Sequence, residues 1–431
     1  MNPELLDFFL LRDSSIRTVV LGSILLGVGS AAIGCFALLR KRALVGDAVA
    51  HAVLPGVALA FMIVGTKDPL ALMIGAIVTG WFSMVSMDYI VRKSRIREDA
   101  AIGLTLSVFF GLGILLLTHI QHSGSANQTG LDKFLFGQAA SLLTKDVVIF
   151  GSVSLLLLLI ILFSFKELKL ISFDPDFTKA IGFPARFLEL LMTTLLVLAV
   201  VVGIQAVGVV LMAAMLITPA AAARYWTERL GVMILLSSLF GIVSGYGGAF
   251  ISYLEPKMPT GPWIVVVASL TFFFSLLVAP GRGVIARALR RRQNVRVTLA
   301  ENILKTMHRI GEVDGNLQGE RSLKEIQEYR MIPLATLRRG LARLVSDRYV
   351  QERVGDRWSL TPEGIARGAR ITRLHRLWEV YLTEYVRIAP DHVHDDAESI
   401  EHVLTPELER ELEGLLNRPE SDPHQQVIPY R

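Results

Sequence analysis

The sequence changes character near Pro280, and this change constrains the fold more than any other feature. Before that residue the chain is almost continuously apolar, in segments of about 18–25 residues separated by charged loops. After it comes a run of arginines, followed by a sequence typical of a water-soluble domain. Because about 20 apolar residues in a helix cross the roughly 30 Å hydrocarbon core of a bilayer, the first part is predicted to span a membrane repeatedly. The second part is predicted to be a soluble module.

Nine apolar segments are long enough to be membrane spans. They are residues 16–39, 47–64, 69–91, 100–119, 146–165, 188–207, 208–223, 230–254 and 262–279. An excess of lysine and arginine marks cytoplasmic loops. By that rule the loops on the cytoplasmic side are residues 40–42, 92–97, 166–186 and 224–229 and everything after Arg282.

The positions of two basic loops test the span count. Only residues 188–223 separate the loop ending at Arg186 from the loop beginning at Arg224. If both loops are cytoplasmic, that stretch must cross the membrane twice, or enter and return. The count is therefore nine spans, or eight with one re-entrant pair, and the turn is allowed at Gly203, Gly208 or Pro219.

The composition of the soluble part points to charged partners. The net charge of +5 conceals a basic block, residues 282–376 with 21 basic and 10 acidic side chains, and an acidic block, residues 377–431 with 4 and 13. A basic block is typical of proteins that bind nucleic acid or anionic lipid. An acidic block with histidines favours a divalent cation. The only cysteine, Cys35, excludes an intrachain disulfide and a cysteine-based zinc site.

Asp47 and His51 are the most informative polar residues within the spans. They are four positions apart, so they share one face of a helix. A carboxylate and an imidazole at this spacing can bind a divalent ion together, and ionisable groups inside a membrane usually mark a pathway. The alternative makes Asp47 a helix cap and His51 a packed core histidine. We favour the pathway, and predict that both residues line it.

Sequence signals of ATP hydrolysis are missing, since no Walker A motif occurs in the chain. If ATP powers transport, the motor is a separate subunit and must dock on a cytoplasmic loop. Residues 172–184 are the best candidate, because Asp174 can cap a short helix, Pro175 suits its first position and Gly182 suits its end. The alternative is a simple connector. The candidate coupling residues are Asp174, Asp176, Ala180 and Gly182.

Residues 39–58, Leu-Arg-Lys-Arg-Ala-Leu-Val-Gly-Asp-Ala-Val-Ala-His-Ala-Val-Leu-Pro-Gly-Val-Ala, resemble the signature of ABC-type permeases for zinc, manganese and ferrous iron. Further segments similar to that family are residues 98–103, 135–137, 207–211 and 218–224. The resemblance implies an all-α membrane domain like that of the vitamin-B12-type importers, with Asp47 and His51 on the ion path and the 174–182 loop as the ATPase-coupling helix. It also implies three partners: an ATPase subunit, a second permease copy and a metal-binding receptor.

The soluble part begins with an arginine-rich linker, residues 282–296, for which binding to anionic lipid is expected. A predicted winged helix-turn-helix follows. Its elements are a helix at 298–310, a short helix at 322–329 with a Ser322–Glu325 capping box, a basic helix at 334–346 and a hairpin of 349–352 with 357–360. Arg338, Arg339 and Arg343 are the candidate DNA-binding residues. The alternative is a basic face that contacts protein or only solvent.

The acidic block carries a set of candidate metal ligands. His375 and Glu379 are four apart on one helix, and His394 lies one turn before Glu398. Glu401 and His402 complete the set. Oxygen and imidazole ligands without thiolates favour manganese or ferrous iron over a structural zinc site. We therefore predict a metal site built from these six residues.

Residues 373–379, 393–404 and 416–429 are similar to the dimerisation and metal-sensing region of diphtheria-toxin-repressor-type iron and manganese regulators. The resemblance implies two sites, with His375, Glu398, Glu401 and His402 as primary ligands and Glu379 and His394 in a second site. Glu398 stands where iron-type members have cysteine, which favours manganese.

One departure concerns the first helix of the soluble part, where the resemblance places another ligand. Asn302 stands at that position and Lys305 one turn later, where manganese-type members have a carboxylate. A charged lysine cannot bind a metal ion. The sequence therefore does not predict that metal binding triggers DNA binding.

The predicted domains are a permease at 1–281, a basic juxtamembrane linker at 282–296, a winged helix domain at 297–372 and a helical metal-binding and dimerisation domain at 373–431. We predict a non-enzymatic membrane subunit of a metal importer in a bacterial inner membrane, with its C-terminal part in the cytoplasm. One alternative is a membrane-tethered or proteolytically released metal-dependent repressor. Another is an ion-coupled secondary transporter that needs no ATPase.

Overall fold

The computed structural model describes residues 7–42, 44–66, 68–122, 142–254, 258–389 and 406–430. The chain folds as two units, Met1–Arg287 and Ala288–Arg431. The segment 135–137 of the permease resemblance lies outside the described residues. So do four of the six predicted metal ligands, His394, Glu398, Glu401 and His402.

The first unit is built of helices, as its long apolar segments predict. Their bounds are α1 (Ser14–Leu39), α2 (Val45–Ala52), α3 (Leu54–Val64), α4 (Pro69–Lys93), α5 (Glu98–His122), α6 (Thr144–Phe163), α7 (Phe165–Phe173), α8 (Pro175–Ala180), α9 (Ala185–Val207), α10 (Val209–Trp226), α11 (Leu230–Leu254) and α12 (Thr260–Val278). The most enclosed of the long helices is α1, which packs against α6, α9, α10 and α11.

Eight stretches among the described residues are long and apolar enough to cross a membrane. They are Ser14–Leu39, Val45–Val64, Leu70–Lys93, Glu98–His122, Thr144–Phe163, Ala185–Ile204, Leu230–Leu254 and Thr260–Val278. The predicted segment outside this set is 208–223, which forms α10.

The chain turns between α9 and α10 at Gly208. Its backbone has φ 85° and ψ 167°, a conformation that is essentially restricted to glycine. Of the three positions at which the sequence allowed a turn, Gly208 is the one used, whereas Pro219 lies inside α10.

The span Val45–Val64 is broken at Val53, between α2 and α3. The cause is Pro55, which has no backbone N–H and cannot donate the helical hydrogen bond to the carbonyl of His51. Beyond the break, α3 lies very close to α4. A Cβ atom on Gly56 would lie only 2.0 Å from the carbonyl oxygen of Gly75. Small residues permit such approaches between membrane helices.

The second unit combines helices with a small sheet. Its elements are α13 (Val284–Val313, with its first four residues before Ala288), β1 (Arg321–Ser322), α14 (Leu323–Tyr329), α15 (Leu334–Ser346), β2 (Val350–Arg353), β3 (Arg357–Leu360), α16 (Pro362–Glu384) and α17 (Pro406–Leu415). The sheet has the order β1-β3-β2, with both pairs antiparallel.

The helix-turn-helix and its wing lie close to their predicted bounds. The capping box at Ser322 is present, with the Glu325 N–H donating to the Ser322 hydroxyl at 3.3 Å and the Ser322 N–H donating to the Glu325 carboxylate at 2.7 Å. The hairpin loop has three residues, Val354, Gly355 and Asp356, and the last two have positive φ, a conformation that glycine and aspartate tolerate. The short strand β1 was not predicted. It is held by pairing with Arg357 and Trp358 on β3.

Helix α13 is longer than the sequence analysis proposed. It begins at Val284, so the basic linker is helical for most of its length. No glycine or proline occurs from Val284 to Ile310, and arginine, alanine and leucine have high helix propensities. The arginines are therefore fixed on a regular helix.

Two separate apolar cores stabilise the second unit. One joins α13, α15 and the sheet around Ile303, Leu337 and Trp358. The other joins α16, α17 and the C-terminal segment around Leu377, Leu412 and Ile428. This division resembles the predicted one between a winged helix domain and a helical metal-binding domain.

Candidate functional site

The Asp47–His51 pair lies on α2, which packs against α4, α5, α9 and α10. The His51 Nε2 atom is 3.5 Å from the Asp47 Oδ1 atom. The edge of the imidazole contacts the ring of Phe110 on α5, with ring centroids 4.9 Å apart. Within the described part of the chain, the buried Nδ1 atom of His51 makes no hydrogen bond. Packing therefore positions the ring, with its Nε2 atom facing the Asp47 carboxylate.

Asp47 lies in the first turn of α2, where the alternative interpretation places it. Helix α2 begins at Val45, and its N-cap position is Leu44, which makes no side-chain cap. The Asp47 side chain is 41% exposed, whereas the neighbouring Ala48 and Val49 are buried. The carboxylate therefore stands at an accessible point beside an otherwise closed apolar interface.

A charged cluster surrounds the segment that leads into α2. Arg42 contacts Glu98 on α5 at 2.6 Å and Asp88 on α4 at 3.4 Å. Glu189 on α9 contacts Arg92 at 2.6 Å, and Arg40 lies 3.8 Å from the same carboxylate group. These ion pairs connect the ends of four helices beside the acid–imidazole pair.

The predicted coupling loop forms the short helix α8. The N–H of Phe177 donates to the Asp174 carboxylate at 2.8 Å, so Asp174 is the N-cap. Asp176 pairs with Lys179 at 3.0 Å, and Ala180 is the last helical residue. Gly182 follows with φ +88°, a left-handed conformation that favours glycine. The Asp174 cap fixes the start of α8, and Gly182 fixes its end.

Sequence reasoning missed the apolar side chains that this loop exposes. Phe173, Phe177, Ile181 and Phe183 are 41–56% exposed. Exposed apolar patches of this kind mark sites of protein contact. The signal was present in the sequence, because large apolar residues recur through a loop otherwise marked by aspartate, lysine and proline.

The three predicted DNA-binding arginines lie on α15 and are exposed. Arg338 contacts Asp356 at the tip of the wing at 3.1 Å, and Arg343 lies 3.5 Å from Asp347. Arg339 donates to the carbonyl of Ala335 at 3.1 Å. The surface is basic, but two of its three guanidinium groups already have a carboxylate neighbour.

The described metal-ligand candidates of the second unit are His375 and Glu379. The His375 Nε2 atom is 3.0 Å from a Glu379 carboxylate oxygen, and both side chains are almost fully buried on α16. On α13 the buried Oδ1 atom of Asn302 makes no hydrogen bond with any described residue. Lys305 is 2% exposed.

These donors fit part of a metal site. An imidazole, a carboxylate and an orphaned amide oxygen are ligands that manganese and ferrous iron accept. No group of three or more histidine, cysteine, aspartate or glutamate side chains that could hold a metal occurs among the residues the structure describes. The structure therefore brings His375 and Glu379 together, and the remaining four candidates lie outside its description.

Buried ion pairs connect the helices of this unit. Arg376 makes a bidentate contact with Glu312, at 3.0 and 2.7 Å. Burial alone would raise the pKa of the Glu409 carboxyl, but hydrogen bonds from Arg370 and Arg373 lower it below its ordinary value. Burial also lowers the pKa of His308. These contacts stabilise the unit and contain no obvious catalytic arrangement.

The helical bundle with its eight candidate spans is typical of a multi-pass membrane protein. Residues 12–279 match the family model described as the ABC 3 transport family, and this chain belongs to that family. Residues 361–430 match a second model, the iron dependent repressor, metal binding and dimerisation domain.

Relatives and a solved structure support this assignment. The manganese transport system membrane protein MntC of Bacillus subtilis is 42% identical over 379 residues, which cover 88% of this chain and 86% of MntC. The zinc transport system membrane protein TroC of Treponema pallidum is 45% identical over 284 residues, 66% of this chain and 95% of TroC. The structure of PsaBC from Streptococcus pneumoniae in complex with Fab is 37% identical, with a TM-score of 0.59 over 67% of this chain and 99% of that chain.

Both predicted resemblances are confirmed by these matches. The fold class is confirmed as well, with a membrane bundle followed by a repressor-like domain. The alternative of a tethered or released repressor is not favoured, because the transport family covers most of the chain. Membership of an ABC family likewise does not favour an ion-coupled secondary transporter.

Proposed function

We propose that the chain is the membrane subunit of an ABC importer whose substrate is a divalent transition metal: manganese, zinc or ferrous iron. The observation that carries this proposal is the acid–imidazole pair, 3.5 Å apart beside a helix break, inside the bundle of a chain that belongs to a transport family. The manganese and zinc transport proteins among its relatives support the choice of substrate class.

The pair has the chemistry that such a substrate requires. Carboxylate oxygen and imidazole nitrogen both bind manganese, zinc and ferrous iron. Two protein ligands hold an ion more weakly than a closed structural site with four, so the ion is able to leave again. Asp47 and His51 pass the substrate inward as the bundle alternates between outward and inward access.

The energy comes from a separate ATPase subunit, because the chain has no Walker A motif. That subunit docks on α8, whose capped helix and exposed Phe177 form a rigid apolar contact. A second permease copy and a metal-binding receptor complete the complex. The similar structure of PsaBC from Streptococcus pneumoniae supports pairing between permease chains.

The second unit lies in the cytoplasm of a bacterium, beside its inner membrane, and responds to the same metal. His375 and Glu379 hold the ion together with His394, Glu398, Glu401 and His402, with manganese favoured. The bound ion supplies positive charge that compensates these acidic side chains. Arg338, Arg339 and Arg343 provide the surface for DNA, if this domain retains the function of its repressor-like relatives.

Two substitutions test the ion path. Asp47→Asn and His51→Gln preserve side-chain size but weaken or remove the metal ligands. Uptake of radioactive manganese and zinc, measured in cells that also carry the ATPase and receptor subunits, is expected to fall to the level of cells without the permease. Asp68→Asn is the matched control, because Asp68 caps α4 and asparagine caps equally well.

Membrane yield of each variant shows whether the chain still folds. Normal uptake by well-expressed Asp47→Asn and His51→Gln would overturn the assigned path. Undiminished uptake in cells that lack the ATPase subunit would overturn the proposal of an ABC importer.

A further inference from the structure

An open groove lies between α13 and α15, entirely within the second unit. Five arginines line it, together with Val295, Leu299, Thr336 and Gly340. Three come from the juxtamembrane part of α13, namely Arg291, Arg292 and Arg296, and two from the predicted DNA-binding helix α15, namely Arg339 and Arg343. From the sequence, we expected the α13 arginines to bind anionic lipid and the α15 arginines to bind DNA. In the structure, both sets line the same groove.

The arginines contributed by α13 have no carboxylate neighbours among the described residues. Arg291, Arg292 and Arg296 take part in none of the ion pairs of the described chain. No acidic residue occurs between Gly281 and Glu301. Asp347 lies 3.5 Å from Arg343, but the other four guanidinium groups around the groove repel each other unless an anion occupies it. The groove is therefore built for a ligand that carries several phosphates.

The length of the connecting segment limits how far Arg291 can lie from the end of the last candidate span. Arg291 follows the end of the last candidate span, Val278, by only 13 residues. Eight of these residues belong to α13, so the segment reaches at most about 30 Å. Anionic headgroups at the cytoplasmic face of that membrane are within reach at high local concentration.

The groove also carries apolar side chains that phosphates alone do not explain. Val295 on its wall is 61% exposed. Leu289 lies six residues earlier on α13, outside the groove lining, and is 59% exposed. Arginines interleaved with exposed aliphatic residues are typical of helices that lie in the boundary between headgroups and acyl chains. A duplex backbone would use the arginines but would leave both aliphatic side chains in water.

We propose that this groove binds the phosphate headgroups of anionic lipids, while Leu289 and Val295 enter the interfacial layer. Because Arg339 and Arg343 belong to the same groove, lipid and DNA compete for α15. A second unit bound to lipid cannot present α15 to DNA. This inference rests on the proposed cytoplasmic placement of the second unit, and its failure would leave the metal path of the first unit unaffected.

The test uses the full chain in lipid nanodiscs. Cys35 is fully buried, so Thr336→Cys introduces a single reactive thiol on the groove wall for a fluorophore. The discs contain a lipid with a quenching spin label on its headgroup, in phosphatidylcholine alone or with added phosphatidylglycerol. Quenching is expected only with phosphatidylglycerol, and it is expected to decrease in 1 M salt, where screening extends over only about 3 Å. A label at Lys324→Cys, which lies outside the groove, is the positional control.

A charge-reversal variant tests whether the arginines of the groove cause the quenching. Each arginine contributes about a fivefold gain in binding at an anionic surface, so Arg292→Glu is expected to raise the phosphatidylglycerol content needed for half-maximal quenching by at least about fivefold. Lys324→Glu makes the same charge change elsewhere and is expected to have little effect. Both sites are exposed on helices and glutamate is a good helix former, so circular dichroism should show unchanged helicity.

Three results would overturn the proposal. One is equal quenching at Thr336→Cys and Lys324→Cys, or in discs with and without phosphatidylglycerol. Another is loss of the quenching on addition of millimolar inorganic phosphate, which would indicate a site for free phosphate. The third is binding of a 30-base-pair duplex that depends on Arg292 and is as tight with phosphatidylglycerol as without it, which would indicate a groove for DNA.

Discussion

His308 links the stability of the second unit to pH. It lies on α13 with 3% of its side chain exposed, and its Nδ1 atom is 3.7 Å from Glu312. Burial lowers its pKa below the ordinary value of 6.5; the charge of Glu312 opposes this shift and Arg376 adds to it. The folded state therefore favours the neutral imidazole. In the unfolded chain the same ring becomes protonated as the pH falls below about 6.5.

The sign of the pH effect follows from this difference. Above about pH 6.5 both states are neutral at this site, and its full contribution to stability is present. As the pH falls further, the unfolded state binds a proton first, and the free energy of unfolding decreases by at most about 1.4 kcal/mol per pH unit. Urea unfolding between pH 7.5 and 5.5 measures the effect, followed by the fluorescence of Trp358 in a chain whose four other tryptophans are replaced by phenylalanine. His308→Gln is expected to reduce the slope, and an unchanged slope would contradict the assignment.

Single residues also show what spacing alone can predict. The interval between Asp47 and His51 was enough to predict that they meet on one helix face. The contact between His51 and Phe110 was not predictable, because it depends on how α2 and α5 pack. Likewise the four-residue interval predicted the His375–Glu379 contact, but nothing in it indicated that both side chains are buried.

Among the elements, α8 offers the sharpest test of how the motor is coupled. Phe177 is 51% exposed, so Phe177→Ala removes an apolar contact surface with little effect on the fold. ATP-dependent metal uptake and co-purification of the ATPase subunit are both expected to decrease severalfold. Phe163→Ala is the matched control, since Phe163 is 81% exposed at the end of the span α6. Full co-purification with Phe177→Ala would exclude Phe177 from the docking contact.

Element bounds were predicted well where a local signal fixes them, and poorly where packing does. The caps at Asp174 and Ser322 and the turn at Gly355 were visible in the sequence because each satisfies a specific backbone requirement. The sequence allowed the turn between α9 and α10 at Gly203, Gly208 or Pro219, and only the backbone conformation identified Gly208 as its position. Helix α13 was predicted too short because an arginine-rich, exposed segment lacks the apolar periodicity by which helices are recognised.

At the scale of the whole molecule, the separate cores of the two units predict separable functions. A chain that ends at Arg287 retains every helix of the first unit. We expect it to take up manganese at a rate within about twofold of the full chain, because no residue of the proposed path is lost. We also expect it to lose any decrease in uptake that follows preloading of the cytoplasm with metal. Initial uptake rates in preloaded and metal-starved cells measure both quantities.

A point variant in the full chain is the control for truncation. Glu379→Gln keeps the second unit but alters a proposed metal ligand, so it is expected to reproduce the loss of metal response. If the truncated chain and the full chain respond identically to preloading, the second unit does not regulate transport. The fold class and the order of the units were predictable from the contrast in hydropathy, whereas the sequence left open whether the second unit inhibits transport at high metal or only joins permeases into dimers.

Pro55 changes the backbone hydrogen bonding one turn beyond a proposed ligand of the ion path. By interrupting the backbone ladder at Val53, it deprives the His51 carbonyl of its usual donor four residues later. The Val53 N–H is directed at that carbonyl instead, at the break between α2 and α3. Restoring an amide hydrogen with Pro55→Ala would engage that oxygen in the helix, and cargo affinity would then change although every acid and imidazole remained in place.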